Sequence, residues 1–174
     1  PAGIVRVAIE RVATGNPAGA EVEAPQPLTI GETVPAEVVA GLLGLTPGDV
    51  VTAAHPPILA SVGNPYVIAE LTAAALSRCE PDVRAFRDAL SVRPQLGTRL
   101  SLHVYSRHER TIRARMFAPL AGTWEDPATG SANTPLACLL LSLERGTDEA
   151  AFEIHQGVEM GRPSLLHVTA RRTT

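Results

Sequence analysis

The sequence contains no lysine; all fifteen of its basic residues are arginine. Within these 174 residues that excludes a Schiff-base lysine for pyridoxal phosphate and the lysine of a phosphate-binding loop. Cysteine is nearly as scarce: Cys79 and Cys138 lie far apart and match no metal-ligand spacing. The five histidines, His55, His103, His108, His155 and His167, show no H-x-x-x-H or similar pattern. A metal site is therefore not expected. Aromatic residues make up 3% of the chain, too few to interleave with arginines along a nucleic acid, and a net charge of −3 supplies no field to attract one. There is no apolar run of about 18 residues, so no membrane span is expected. No charged-then-apolar leader precedes the first strand, and a cytoplasmic protein is the expectation.

What is present is the composition of one globular domain, 45% hydrophobic and 19% charged, without repeats, low-complexity tracts or a long linker. Residues 4–12 alternate apolar and polar side chains and predict a strand, followed by a loop over 15–19 and an irregular or edge strand within 20–30, where Pro25 and Pro27 intrude. Thr33 is placed to cap a helix over 35–43 that Gly44 ends. Thr46-Pro47-Gly48-Asp49 reads as a turn, and Gly63-Asn64-Pro65 as a turn between strands 58–62 and 66–71. Short helices are predicted over 72–78 and 81–90, the second with Val83, Phe86 and Leu90 on one face. Residues 101–117 predict a hairpin with Ile112, Ala114 and Met116 on one side. Arg113 and Arg115 on the other side read as part of a solvated basic patch with Arg107 and Arg110. Last strands are predicted over 152–156 and 165–170.

The stretch WEDPATGSANTPLACLLLSL, Trp124 to Leu143, is the most informative. Two acids, Glu125 and Asp126, precede Pro127, which fixes the backbone behind them. Small residues around Thr129 permit a tight turn, and a helix that starts there presents unpaired N–H groups and the positive end of its dipole. Such a terminus suits a phosphate or carboxylate, with Asp126 beside it as hydrogen-bond acceptor or proton carrier. The run that follows is apolar nearly all round, which predicts a helix buried on every side. The same residues also read as ordinary turn chemistry leading into a core helix. Cys138, inside that run, is expected to be buried and inert. Strands with few helices, one of them wholly apolar, predict an α+β fold in which an antiparallel sheet is rolled around a central buried helix.

EDPATGSA resembles the signature of the PhzF-type isomerase family of phenazine biosynthesis, whose fold is that of diaminopimelate epimerase. A second match, Gln156-Gly157 and Met160-Gly161-Arg162-Pro163-Ser164, resembles the QG–MGRPS ending of the same family. The resemblance implies two lobes, each a sheet rolled around a helix, with the active site between them. On that division residues 1–30 are a remnant of the first lobe, which is otherwise largely absent, and residues 31–174 are the second lobe. The implied reaction is a cofactor-free proton shift on a small carboxylate-bearing substrate in biosynthetic metabolism. A homodimer is the implied assembly.

Carried over residue by residue, the resemblance implies that Asp126 assists proton movement and that Ser131 takes part at the site without acting as a nucleophile. Gly130, Ser131 and Ala132 would bind the substrate, its carboxylate held by backbone N–H groups and the serine hydroxyl. Glu125 is expected to cap or orient the loop, and Arg162 to be an ordinary surface arginine. The family's acid/base is a glutamate of the first lobe near a Gly-His-Pro-Thr-type loop, and no such loop occurs here; His55-Pro56 stands in a different context. Asn133-Thr134-Pro135 replaces the family's usual small residues, and Pro135 predicts a helix that starts late or kinks. The thiol-using racemases of this fold keep a cysteine in the equivalent loop, which has none here. The competing class is a module that grips a carboxylate or a partner chain without catalysis.

Overall fold

The structure is a computed structural model that describes residues 4–172, apart from residues 12, 14 and 16. Val12, the expected end of the first strand, and Asn16, inside the expected loop over 15–19, lie outside the described residues. The chain opens with β1 (Val7–Arg11) and β2 (Pro17–Val22), an antiparallel pair that forms a two-stranded sheet of its own. All five residues of β1 are exposed, Val7 and Ile9 among them.

Everything else is built on one sheet. Its strands are β3 (Thr29–Thr33), β4 (Val50–Val51), β5 (Ile58–Ser61), β6 (Pro65–Leu71), β7 (Leu102–His108), β8 (Thr111–Ala118), β9 (Thr123–Asp126), β10 (Glu149–Gln156) and β11 (Ser164–Arg171). The order is β11-β10-β8-β7-β6-β5-β3, with β4 against β6 and β9 against β8. β3 runs across the 30/31 division expected from the resemblance, since Thr29 and Ile30 already pair with Ser61 and Ala60 of β5. Most neighbours are antiparallel; β6–β7 and β8–β10 are parallel. Parallel neighbours need a crossover, and the two crossovers carry helices to opposite faces. Between β6 and β7 lie α2 (Ala73–Arg78) and α3 (Val83–Val92), which share one face with α1 (Ala36–Leu42). Between β8 and β10 lies α4 (Gly130–Leu143), on the other face.

The strands therefore alternate between two cores rather than between core and water. Val67, Ala69 and Leu71 of β6 pack with Phe86 and Leu76 under the first three helices, while Tyr66 and Ile68 face α4. This overturns the reading of Arg115 as solvent-facing: it is buried, because the face opposite its apolar neighbours is covered as well, and His103 and Tyr105 are buried on the α4 side. The turn and hairpin positions agree with expectation, and the two short helices carry side-chain caps that the sequence reading does not name. Thr72 accepts from the N–H of Ala75 at 3.2 Å, and Asp82 from that of Arg84 at 2.8 Å. Thr33 does not cap α1. It ends β3, Val34 donates its N–H to Pro57 O at 2.7 Å, and Pro35 occupies the N-cap position without a side-chain bond.

α4 is the buried helix the sequence predicts, with Leu136, Leu139, Leu140 and Leu141 all inside. It starts at Gly130 rather than late, and Pro135 sits within it. Proline removes the donor that would meet Ser131 O, four residues back. The neighbouring Thr134 hydroxyl donates to Gly130 O at 2.9 Å. Cys138 is half-buried rather than buried, yet burial still raises its thiol pKa, so it stays protonated at neutral pH. Cys79 is buried outright and pushed up to about 12 by the same cause. No helix among the described residues is long and apolar enough to cross a membrane.

Candidate functional site

The loop that leads into α4 is held from three sides. The first hold is electrostatic. Arg115 of β8 donates from Nε and Nη2 to the two carboxylate oxygens of Glu125 of β9, both at 2.8 Å, a bidentate fork. The side chains are only 8% and 7% exposed. Burial works against the charged guanidinium, but the Glu125 carboxylate outweighs it and keeps Arg115 charged. The third nitrogen, Nη1, donates to Leu76 O at 3.0 Å and Cys79 O at 3.2 Å, the carbonyls at the end of α2. Glu125 thus locks β9 to β8 and α2 one residue before Asp126. Arg115 is not part of a solvated basic patch, and its neighbour Arg113 is tied to Glu159.

The second hold is a buried amide. β10 turns Ala150, Phe152 and Ile154 inward against α4, and Gln156 occupies the next inward place with no exposed surface. Its Nε2 donates to Asp126 O at 2.6 Å and to Thr129 Oγ1 at 2.9 Å. Its Oε1 accepts from Thr129 N–H at 3.2 Å and from Asn133 Nδ2 at 2.8 Å. Both donors and both acceptor positions are filled, the condition under which a buried polar network is stable. Asn133 also donates to Thr129 O at 3.0 Å, and its Oδ1 accepts from His103 Nε2 at 2.9 Å. That contact makes Nε2 the protonated nitrogen of His103. Nδ1 meets no partner among the described residues, and burial lowers the pKa to about 4, so the ring is neutral at pH 7.

The third hold is steric. Gly157 has φ +75°, and a Cβ there would stand 2.9 Å from Pro127 O. Only a glycine lets the β10–β11 turn pass so close behind the loop. The two sequence motifs, thirty residues apart, are one structure: Gln156 and Gly157 are the bed on which Asp126–Thr129 lies.

The site residues named from the sequence fall around this loop. Asp126 is half-buried and accepts from the Thr129 hydroxyl at 2.8 Å through Oδ2. Gly130 and Ser131 are exposed in the first turn of α4. Their N–H groups have no protein acceptor among the described residues, since those of Ala132 and Asn133 are the first to turn back, to Thr129 O at 3.1 and 3.0 Å. Ser131 Oγ lies 2.7 Å from the hydroxyl of Tyr66. Ala132 is fully buried; it can offer only backbone. Glu125 orients the loop through Arg115 rather than capping it. Arg162 is exposed and forms no ion pair among the described residues.

Sequence reasoning missed Tyr66, Asn133 and His103, and left Gln156 without a role. The inward alternation of β10 was the signal for Gln156: a polar residue stands where the pattern asks for a hydrophobe. No group of three or more His, Cys, Asp or Glu able to hold a metal ion occurs among the described residues.

Comparison with known proteins places this loop in a wider setting. Over 171 residues the chain is 34% identical to a trans-2,3-dihydro-3-hydroxyanthranilate isomerase of Pseudomonas aeruginosa, a match covering 97% of this chain and 55% of that protein. An uncharacterized isomerase of Mesorhizobium japonicum is 35% identical over 152 residues, 83% of this chain and 49% of the relative. The chain therefore spans about half the length of these curated relatives. Among solved structures, a PhzF-family phenazine biosynthesis protein of Bacillus anthracis superposes with a TM-score of 0.81 at 22% identity, over 99% of this chain and 58% of that one. A predicted epimerase from Pseudomonas aeruginosa gives a TM-score of 0.70 at 28% identity, over 94% and 54%. The family model described as phenazine biosynthesis-like protein matches residues 1–174. With the fold, both motifs and the full-length match in agreement, the chain belongs to the phenazine biosynthesis-like family, the PhzF isomerases.

Proposed function

We propose that this chain is the carboxylate-holding half of a cofactor-independent isomerase that shifts a proton on a small carboxylate-bearing substrate. The observation that carries the reading is the pair of N–H groups at Gly130 and Ser131 that have no acceptor among the described residues, in the same loop as the Asp126 carboxylate. An anion gains most where backbone donors are already aimed and need no reorganisation. Ser131 adds a hydroxyl steadied by Tyr66. In this reading Asp126 assists the proton movement while Gly130 and Ser131 hold the substrate; Ala132, fully buried and with its N–H on Thr129 O, does not reach it. Residues 1–30 are the remnant of a first lobe that supplies the opposing base, and a second copy of the protein is the expected partner.

The relatives' printed activity supplies the trial substrate, trans-2,3-dihydro-3-hydroxyanthranilate. In deuterated water the 174-residue chain alone is expected not to exchange a carbon-bound hydrogen of this compound, because a carbon acid needs base and clamp together. The same chain joined to a first lobe is expected to exchange it, and Asp126→Asn to slow that by about 100-fold or more. Exchange by the 174 residues alone puts the base in this half and overturns the division of labour. Carboxylate binding without exchange in the two-lobed protein favours the non-catalytic module.

A further inference from the structure

We propose that Gln156 is a positioning residue that stops α4 from capping itself and so keeps its first-turn N–H groups open to the substrate. The inference rests on reading the loop as a carboxylate site, and it begins from an oddity at Thr129. Threonine in the N-cap position normally turns its hydroxyl onto the N–H of the second or third helical residue. Thr72 does so on α2, with φ −62° and ψ 148°. Thr129 does not: its φ is −115° and its ψ 83°, and its side chain makes no cap bond.

Gln156 accounts for the difference. Its Oε1 holds the Thr129 N–H, which fixes the backbone away from the extended conformation of an ordinary cap. Its Nε2 occupies the Thr129 hydroxyl as a donor, and that hydroxyl spends its own proton on Asp126. Both the acceptor and the donor of the threonine are thereby engaged on the side away from the helix. Asn133, hydrogen-bonded in turn to His103, keeps the Gln156 amide in the orientation that does this. Freed from Gln156, Thr129 can rotate toward the extended region and cap Ser131 with its own oxygen, the N–H of Ala132 being already held by Thr129 O. A helix capped in this way competes with the substrate carboxylate for the Ser131 N–H.

The test uses the isotope-labelled 174-residue chain. Amide hydrogen exchange is read at Ser131 without ligand, with Ala75 on α2 as the capped reference. Binding is read by titrating benzoate, with benzamide as the neutral control. Gln156→Met, close in shape but unable to hydrogen-bond, is expected to slow exchange at Ser131 by about fivefold or more, the scale of one cap bond. Benzoate affinity is expected to fall by a similar factor. Adding Thr129→Val removes the competing oxygen, and the double variant is expected to regain fast exchange and most of the lost affinity.

A merely structural Gln156 gives the opposite pattern, with faster exchange throughout residues 126–132 and a further loss in the double variant; that result overturns the proposal. If Gln156→Met does not fold, Gln156→Asn, which keeps the amide but withdraws it by one methylene, is read in the same way. Slowed exchange in the variant together with no benzoate binding by the parent chain sinks the carboxylate reading and leaves the role of Gln156 standing. Normal benzoate binding with unchanged exchange does the reverse.

Discussion

Two helices of this protein begin with threonine, and the chain uses the two residues in opposite ways. On α2, Thr72 closes the helix start by accepting from Ala75, and Arg115 closes the far end by donating to Leu76 O and Cys79 O. With its third helical N–H held by the threonine hydroxyl, α2 packs into the apolar core it shares with α1 and α3. On α4, Thr129 faces away from its helix, Gly130 and Ser131 have no acceptor for their N–H groups among the described residues, and His103, Asn133 and Gln156 are buried at that end of an otherwise apolar helix. One face of the sheet is finished as structure. The other spends buried hydrogen bonds on leaving a helix start unfinished, the kind of local cost that functional sites carry.

The sharpest way to break this contrast is to remove the element that joins the two faces. Arg115→Met leaves the Glu125 carboxylate buried without its partner and the end of α2 uncapped, and is expected to cost about 4 kcal/mol in chemical denaturation. If instead it costs no more than a surface substitution, the fork does not hold β9 in place.

The polar end of the α4 core should betray itself through pH. The folded-state pKa of His103 is lowered to about 4 from an ordinary 6.5, so the unfolded chain binds the extra proton between those values. Stability is expected to be complete above pH 6.5 and to fall by roughly 3 kcal/mol as pH drops through 4. His103→Phe should flatten that slope in urea midpoints taken across the window. A slope unchanged by the substitution would assign it to other groups.

Gly157→Ala tests the steric hold. A side chain at positive φ against Pro127 is expected to cost about 2 kcal/mol and to move the 126–129 loop, visible as shifted amide resonances there but not on α2. The smallest effect belongs to the ordinary cap. Thr72→Ala is expected to lower stability by about 1 kcal/mol and to speed exchange at Ala75 alone, the reverse of what Gln156→Met should do at α4.

Much of the scaffold was legible in the residues. The wholly apolar run after Ser131 marked α4 because a helix with no polar face has to be buried. Gly63-Asn64-Pro65 marked the β5–β6 turn, and the spacing of Val83, Phe86 and Leu90 marked α3. The loop from Asp126 to Ser131 was recognisable because small residues before an apolar helix are local chemistry. Other assignments failed where a partner lay far off in sequence. Alternation along β7 and β8 separates the two faces correctly but does not say that both are covered, so it assigns Arg115 to a solvated patch although the residue is buried.

By itself the sequence determined which segments pair or coil, and that a carboxylate and exposed N–H groups sit together ahead of a buried helix. These follow from side-chain period and backbone preference within a few residues. Only the tertiary structure decided what those groups are bonded to. β10 runs parallel to β8, setting Gln156 opposite Ala114, while β9 sets Asp126 opposite Met116. That register brings an amide across twenty-seven residues to Thr129 and a guanidinium across ten to Glu125. A buried hydrogen bond depends on distances of tenths of an ångström, and such distances are set by strand register and crossover, not by neighbours in the chain.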